Sequence, residues 1–230
     1  MPSNNPNLPN DLYVGGVPGY ENVPADQQPV FRRGRPEDAQ EAAALVYAAG
    51  PEEFRFVLSI SHHQQALEFL EWVWAEGGQF GYDDHLCIDV GGKVVAVGTA
   101  RTAASTRKLF FKSMRQIFSF YTFPAALKVS WNGLRTESNV PPAQPGQRYI
   151  ADIAVSPKFR GQGLAQALVS RLMTFFPDEN LTSTLHVNVE NGNARRLYER
   201  LGFEEAELCT STLRSNFGHI GGHWKMEVKL

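Results

Sequence analysis

The period of the apolar positions changes several times along this chain, and each change marks an element. Val30-Phe31-Arg32-Arg33-Gly34 reads as a first strand. Pro36 followed by Glu37 and Asp38 is a helix start, and Ala39, Ala42, Ala43, Leu45, Val46 and Tyr47 carry that helix to the Gly50-Pro51 stop. Glu52 to Gly77 predicts one or two helices, led by Phe54, Phe56 and Val57 and continued by Ala66, Phe69, Leu70, Val73 and Trp74 at helical spacing. His85 to Val90 and Lys93 to Arg101 are β-rich runs joined by Gly91-Gly92, the signature of a two-residue hairpin. Tyr149-Ile150-Ala151-Asp152-Ile153-Ala154-Val155 is an extended apolar run closed by Ser156-Pro157. Leu164, Leu168, Leu172 and Phe175 then share one helical face, and Leu185 to Val189 alternates as a strand. Glu204 to Thr212 and His223 to Leu230 predict the last two strands, with a loop over 215–222.

Two stretches stand outside this rhythm. Residues 1–28 are rich in Pro, Asn and Gly, and such a segment buries too little apolar surface to offset its ordering entropy, so a disordered or loosely packed tail is expected there. Residues 102–147 predict two helices and a Pro/Gly-rich return loop, in a span with no acidic residue between Asp89 and Glu137. On the first helix Arg107, Lys108, Lys112 and Arg115 fall on one side, and Phe110, Met114, Ile117, Phe118 and Tyr121 on the other. The favoured reading is an insertion that covers the sheet and shapes a pocket, with its charges simply solvated. The alternative is a pair of basic, aromatic helices that meets a membrane surface or an anionic partner.

Composition narrows the function classes. A chain of 230 residues with 43% hydrophobic content can bury a normal core. Its formal net charge of −2 gives no global attraction to nucleic acid. Cys87 and Cys209 both fall in strand-like runs and read as buried free thiols of a reducing compartment, with a disulfide between them the alternative. No basic-then-apolar leader and no apolar run of about 18 residues is visible, so a cytoplasmic location is expected. His62-His63 is no metal site by itself, because adjacent helical positions point about 100° apart, and no metal is expected.

The chemistry gathers at Arg160-Gly161-Gln162-Gly163-Leu164-Ala165, between the apolar strand and the helix. Glycines let backbone N–H groups approach a ligand, and a helix start adds unpaired donors, so strand, Gly-rich turn and helix together form an anion site. There is no Gly-Lys-Ser/Thr of a P-loop, and Gln166 stands where a third Rossmann glycine would be. What remains, Arg-x-x-Gly-x-Ala after Ile-Ala-Val-x-Pro, resembles the coenzyme A loop of the GNAT superfamily of N-acetyltransferases. Downstream, Asn191, Ala194, Leu197-Tyr198 and Gly202-Phe203 form Asn-x-x-Ala-x-x-Leu-Tyr-x-x-x-Gly-Phe, similar to the second half of that superfamily's site. The resemblance covers residues 148–205 well; before that it is a matter of element order.

The resemblance implies an α/β fold with a mixed central sheet flanked by helices, in one acetyltransferase domain over 29–230 with its insertion at 102–147. It implies acetyl-CoA as co-substrate. Backbone groups of Ile153, Ala154 and Val155 would pair with the pantetheine arm, like an added strand. The turn and first helical residues, Gly161, Gln162, Gly163, Leu164, Ala165 and Gln166, would cradle the pyrophosphate, with Arg160 complementing its charge. Asn191 would contact the cofactor and Tyr198 would return a proton to the departing thiolate. For the base, His186 lies where some protein N-terminal acetyltransferases carry a glutamate; Asp152 competes, and a base acting through water is a third route. The expected acceptor is a primary amine of a small molecule, ahead of a protein N-terminus or lysine. A sensor that binds acyl-CoA without turnover stays open, and a homodimer is compatible with the sequence.

Overall fold

The structure is a computed structural model that describes residues 14–176 and 181–229. The described residues form two compact units, each taken here by itself. One runs to Ala49 and adds Leu70–Ala100 and the segment from Ile150; the other holds Gly50–Phe69, Arg101–Tyr149 and the C-terminal segment. The sheet has eight strands in the order β1-β2-β3-β4-β5-β6-β8-β7, mixed and mostly antiparallel, as the resemblance implies.

In the first unit, β1 (Gly15–Gly16), β2 (Val30–Arg33), β3 (Leu86–Val90) and β4 (Lys93–Arg101) follow one another. β1 to β2, β2 to β3 and β3 to β4 are antiparallel, and Gly91-Gly92 closes the last hairpin with both φ angles positive, at +60° and +85°. Of the tail expected over 1–28, residues 1–13 lie outside the described residues. Gly15–Gly16 pair with Phe31 and Val30, and Val17 is buried.

β2 fixes the start of α1 (Ala39–Ala49) electrostatically. Arg32 reaches Asp38 with two guanidinium nitrogens at 2.7 and 2.8 Å and Asp89 with Nε at 2.8 Å, while Asp38 also accepts the backbone N–H of Arg35 at 2.7 Å. This network is nearly dry, so removing one partner would strand a buried charge. α3 (Gln65–Glu76) and α6 (Leu164–Met173) complete the helices of this unit, apart from the first turns of α3. α6 buries Leu164, Leu168 and Leu172, and Ile153 of β5 (Gln147–Val155) packs beside them. Gly98 of β4 makes that packing fit: a Cβ there would lie 2.5 Å from Ile153 Cδ1.

In the second unit, β6 (Thr182–Asn188) pairs in parallel with the start of β5, Gln147 to Tyr149, and antiparallel with β8 (His223–Lys229) along its whole length. β7 (Glu204–Cys209) pairs with β8 on the other side. Cys87 is buried and Cys209 half-buried, and both are free thiols.

α2 (Pro51–Leu58) is tied to α5 (Phe123–Thr136) by Asn132 Nδ2, which donates to the Phe56 carbonyl at 3.0 Å. Tyr121, at the end of α4 (Ala103–Phe120), donates its hydroxyl to the Leu58 carbonyl at 2.7 Å. Residues 103–136 therefore are two helices, but the packed face differs from the one the pattern suggests. Ser105 and Gln116 of α4 are buried, and Phe110 and Phe118 are exposed on the side that also carries the basic residues. Amphipathic reading assumes that the apolar stripe faces inward. Here Ser105 is held inside by a reciprocal cap with Thr102, and Tyr121 and Asn132 turn polar atoms toward α2.

Candidate active site

The residues singled out in the sequence fall into two groups, one in each unit. In the first, β5 delivers Asp152, Ile153, Ala154 and Val155, and the chain then turns through Pro157–Phe159 into the glycine stretch. Arg160 Nε donates to the Val155 carbonyl at 3.1 Å, so this arginine braces the turn. Gly161 and Gly163 have φ of +76° and +79°, a left-handed conformation that costs an ordinary residue about 1–2 kcal/mol. An added Cβ at either would meet nothing within 4 Å, so the turn's surface is open. Gly163 caps α6, and the first helical bond within α6 runs from Ala167 N–H to the Gly163 carbonyl at 3.0 Å. The N–H groups ahead of it, up to Gln166, have no intrahelical acceptor by geometry. Gln162, Gly163 and Gln166 are exposed, Ala165 is half-buried, and Leu164 anchors the helix in the core. The Tyr20 hydroxyl donates to the Gln162 carbonyl at 2.5 Å, which holds the turn from the opposite side.

Asp152 is a second irregularity in this unit. Its φ is +58°, unusual for a residue with a side chain and placed in the middle of β5. Its Oδ2 lies 3.4 Å from Nε2 of His85, a residue with no solvent exposure. His85 Nδ1 lies 2.9 Å from the Gly81 carbonyl, which can only accept, so Nδ1 carries a hydrogen. At 3.4 Å the Nε2–Oδ2 contact is not an aligned hydrogen bond, and the buried Nε2 makes no other among the described residues. Trp74 packs against the His85 ring at 5.1 Å.

The second group lies on β6 and α7 (Gly192–Arg200). His186 Nδ1 is 3.2 Å from the Tyr149 hydroxyl, and the rings are 5.5 Å apart. Register explains the contact: Tyr149 pairs with Thr184, two residues before His186 on the same face. Burial, helped by His223 and Lys225, lowers the imidazole to about 4, so it is neutral at physiological pH and a weak base. Asn191 is the N-cap of α7, its Oδ1 accepting from Ala194 N–H at 3.1 Å. Tyr198 is buried on α7, 6.0 Å ring to ring from Phe203, and burial pushes its phenol up to about 12.

Sequence reading missed His85 and Tyr149. Neither lies in a motif; only strand register and the local backbone bring them to Asp152 and His186. Among the described residues, no group of three or more His, Cys, Asp or Glu could hold a metal ion.

The second unit also holds an open cleft of about 370 Å³, lined among others by Glu52, Arg55, His63, Arg214, Phe217 and His219. Glu52 meets both Arg55 and His219, the latter at 3.2 Å. Its lining mixes carboxylate, guanidinium and imidazole groups around one aromatic ring.

Comparison with known proteins places this geometry. Over 66 residues the chain is 39% identical to an uncharacterized N-acetyltransferase of Methanocaldococcus jannaschii, a match that spans 28% of this chain and 29% of that relative. The fold is similar to an N-acetyltransferase from Staphylococcus aureus Mu50, with a TM-score of 0.62 at 20% identity over 86% of this chain and 99% of that one. It is also similar to a diaminobutyrate acetyltransferase from Paenibacillus lautus, solved with L-2,4-diaminobutyric acid and coenzyme A, with a TM-score of 0.50 at 13% identity over 88% and 96%. The model of the acetyltransferase (GNAT) family matches residues 52–203, about two thirds of the sequence from α2 through α7, and the chain therefore belongs to the GNAT acetyltransferase family.

Proposed function

We propose that this protein transfers an acetyl group from acetyl-CoA to the amine of a small molecule. The observation that carries the donor assignment is the turn at Gly161 and Gly163, left-handed, open, and set on the first turn of α6. Acetyl-CoA supplies the activated acyl group and a thiolate leaving group. The turn's N–H groups bind its pyrophosphate, the backbone of Ile153 to Val155 aligns the pantetheine arm, and a backbone N–H near Val155 stabilises developing negative charge on the acyl oxygen.

Asp152 is the base in this account because β5 carries it next to Ile153, in the segment that aligns the pantetheine arm, whereas the His186 ring, lowered to about 4 by burial, orders Tyr149. The amine gives its proton to Asp152 as the C–N bond forms. The C–S bond breaks, and Tyr198 donates its phenolic proton to the sulfur, regaining one from solvent. Burial raises the phenol to about 12, so Tyr198 is protonated at neutral pH and holds the proton it donates.

Taken by itself, the 370 Å³ cleft of the second unit, with Glu52, Arg55 and Arg214 in its lining, suits a small molecule that carries both an amine and an acidic group. The diaminobutyrate acetyltransferase acts on such a molecule, which agrees with this reading. Thiol release from acetyl-CoA, followed against a panel of amino acids, diamines, polyamines and N-terminal peptides, tests it. Turnover with a zwitterionic amine, lost in Asp152→Asn and Tyr198→Phe while acetyl-CoA still binds, is the expected result. Binding without turnover for any amine would mark a sensor, and turnover with peptides alone would replace the acceptor class.

A further inference from the structure

The outer face of α4 and α5 is unlike the rest of the surface. Eleven large hydrophobic side chains are exposed among the described residues, and seven of them lie on these two helices. On α5, Phe123, Leu127, Trp131 and Leu134 recur at helical spacing along one stripe, exposed by 67, 50, 60 and 60%. On α4, Phe111 is 78% exposed and Phe118 42%. Phe118 touches Phe123 across the helix junction, ring centroids 5.8 Å apart, so the two stripes adjoin. Single exposed apolar residues are ordinary, but a continuous patch on two neighbouring helices marks an interaction site.

Charge selects the occupant. Arg107, Lys108, Arg115 and Lys128 are exposed on the same helices, and residues 103–136 contain no acidic side chain. A second copy of this face would set like charges against one another, which disfavours a symmetric dimer through it. Phosphate groups of a nucleic acid would satisfy the basic residues but leave the aliphatic part of the α5 stripe without an apolar partner. An anionic bilayer satisfies both: its headgroups pair with Lys and Arg, and its acyl boundary takes Phe, Trp and Leu. No helix among the described residues is long and apolar enough to cross a membrane, so contact is by adsorption.

We propose that the outer face of α4 and α5 docks this protein on the surface of an anionic lipid bilayer. Trp131 and Phe111 enter the acyl boundary, and Lys108 and Arg115 lie at headgroup level.

The test is co-sedimentation of the full chain with vesicles of phosphatidylcholine alone and of phosphatidylcholine with 30% phosphatidylserine. Binding to the anionic vesicles, weakened by added salt, is expected. Lys108→Gln with Arg115→Gln should weaken it about twenty-fivefold, at roughly fivefold per basic residue near an anionic surface. Phe111→Ser with Trp131→Ser should weaken it by about a hundredfold or more, since two aromatic side chains then leave the acyl boundary. Both side chains in the second variant are exposed, so its melting temperature and acetyl-CoA affinity should match the parent's. Failure to bind anionic vesicles, or equal binding to both compositions, overturns the proposal. So does a dimer in solution that Trp131→Ser converts to monomer, or tighter binding to single-stranded RNA than to vesicles. Because acetyl-CoA binding is read separately, loss of the acetyltransferase reading leaves this one intact.

Discussion

Replacing Gly98 by alanine tests how β5 presents its residues. The new Cβ would lie 2.5 Å from Ile153 Cδ1, 3.0 Å from Leu172 Cδ1 and 3.2 Å from Leu168 Cδ2. All three are ends of side chains, so rotamer shifts absorb part of the overlap, but Leu168 and Leu172 are fully buried and have little room. The cost should be that of ordinary overpacking, about 1–3 kcal/mol. Ile153→Val removes Cδ1, the nearest atom, and by itself should cost about 0.5–1.5 kcal/mol. In the double variant the alanine methyl occupies the space that Cδ1 vacates. The two changes should therefore be less than additive, with a coupling of about 1 kcal/mol or more in a double-mutant cycle from urea unfolding. Additive costs would mean that Ile153 does not pack into β4 at Gly98. The orientation of Asp152 toward His85, one residue earlier on the same strand, would then lose its support.

Further outcomes follow from the second group and the salt network. The folded-state value of His186 lies below its ordinary value, so its neutral form is favoured in the folded chain; its contribution is full above about pH 6.5 and is lost as pH falls toward about 4, by at most about 3 kcal/mol. His186→Asn should flatten stability against pH in that window, and an unchanged slope would contradict the burial argument. Asn191→Ala should destabilise by about 1 kcal/mol through loss of the α7 cap, and Asn191→Asp should restore most of it, read as shifts in the urea midpoint. Arg32→Met should destabilise by about 3–5 kcal/mol, because Asp38 and Asp89 are then buried without their counter-ion; a change below 1 kcal/mol would show the network to be hydrated.

Much of the fold was legible because its elements obey simple periods. The Gly91-Gly92 hairpin, the apolar strand before Ser156-Pro157 and the Leu164, Leu168, Leu172 stripe all lie where spacing puts them. The glycine turn was legible for a different reason: at Gly161 and Gly163 the backbone conformation itself demands glycine. By contrast, Asp152 adopts a positive φ without being glycine, and no residue type announces it. His85 and Tyr149 join their partners through strand register and packing, which local sequence does not encode. α4 inverted its reading because helix patterning equates apolar with buried. There, Ser105 is buried in a reciprocal cap with Thr102, while Phe110, Phe111 and Phe118 face outward.

The central claim is that the Gly161–Gly163 turn and the start of α6 hold the pyrophosphate of acetyl-CoA. Calorimetric titration of the purified chain with acetyl-CoA and with free CoA, repeated on Gly163→Val, tests it most directly. Valine at a φ of +79° strains the turn and re-aims its N–H groups, and each charge-assisted hydrogen bond lost costs about 1.5–3 kcal/mol. Micromolar binding of both ligands by the parent, weakened at least tenfold in a folded Gly163→Val, is the result the account predicts. No binding by the parent, or equal affinity in the folded variant, would contradict it.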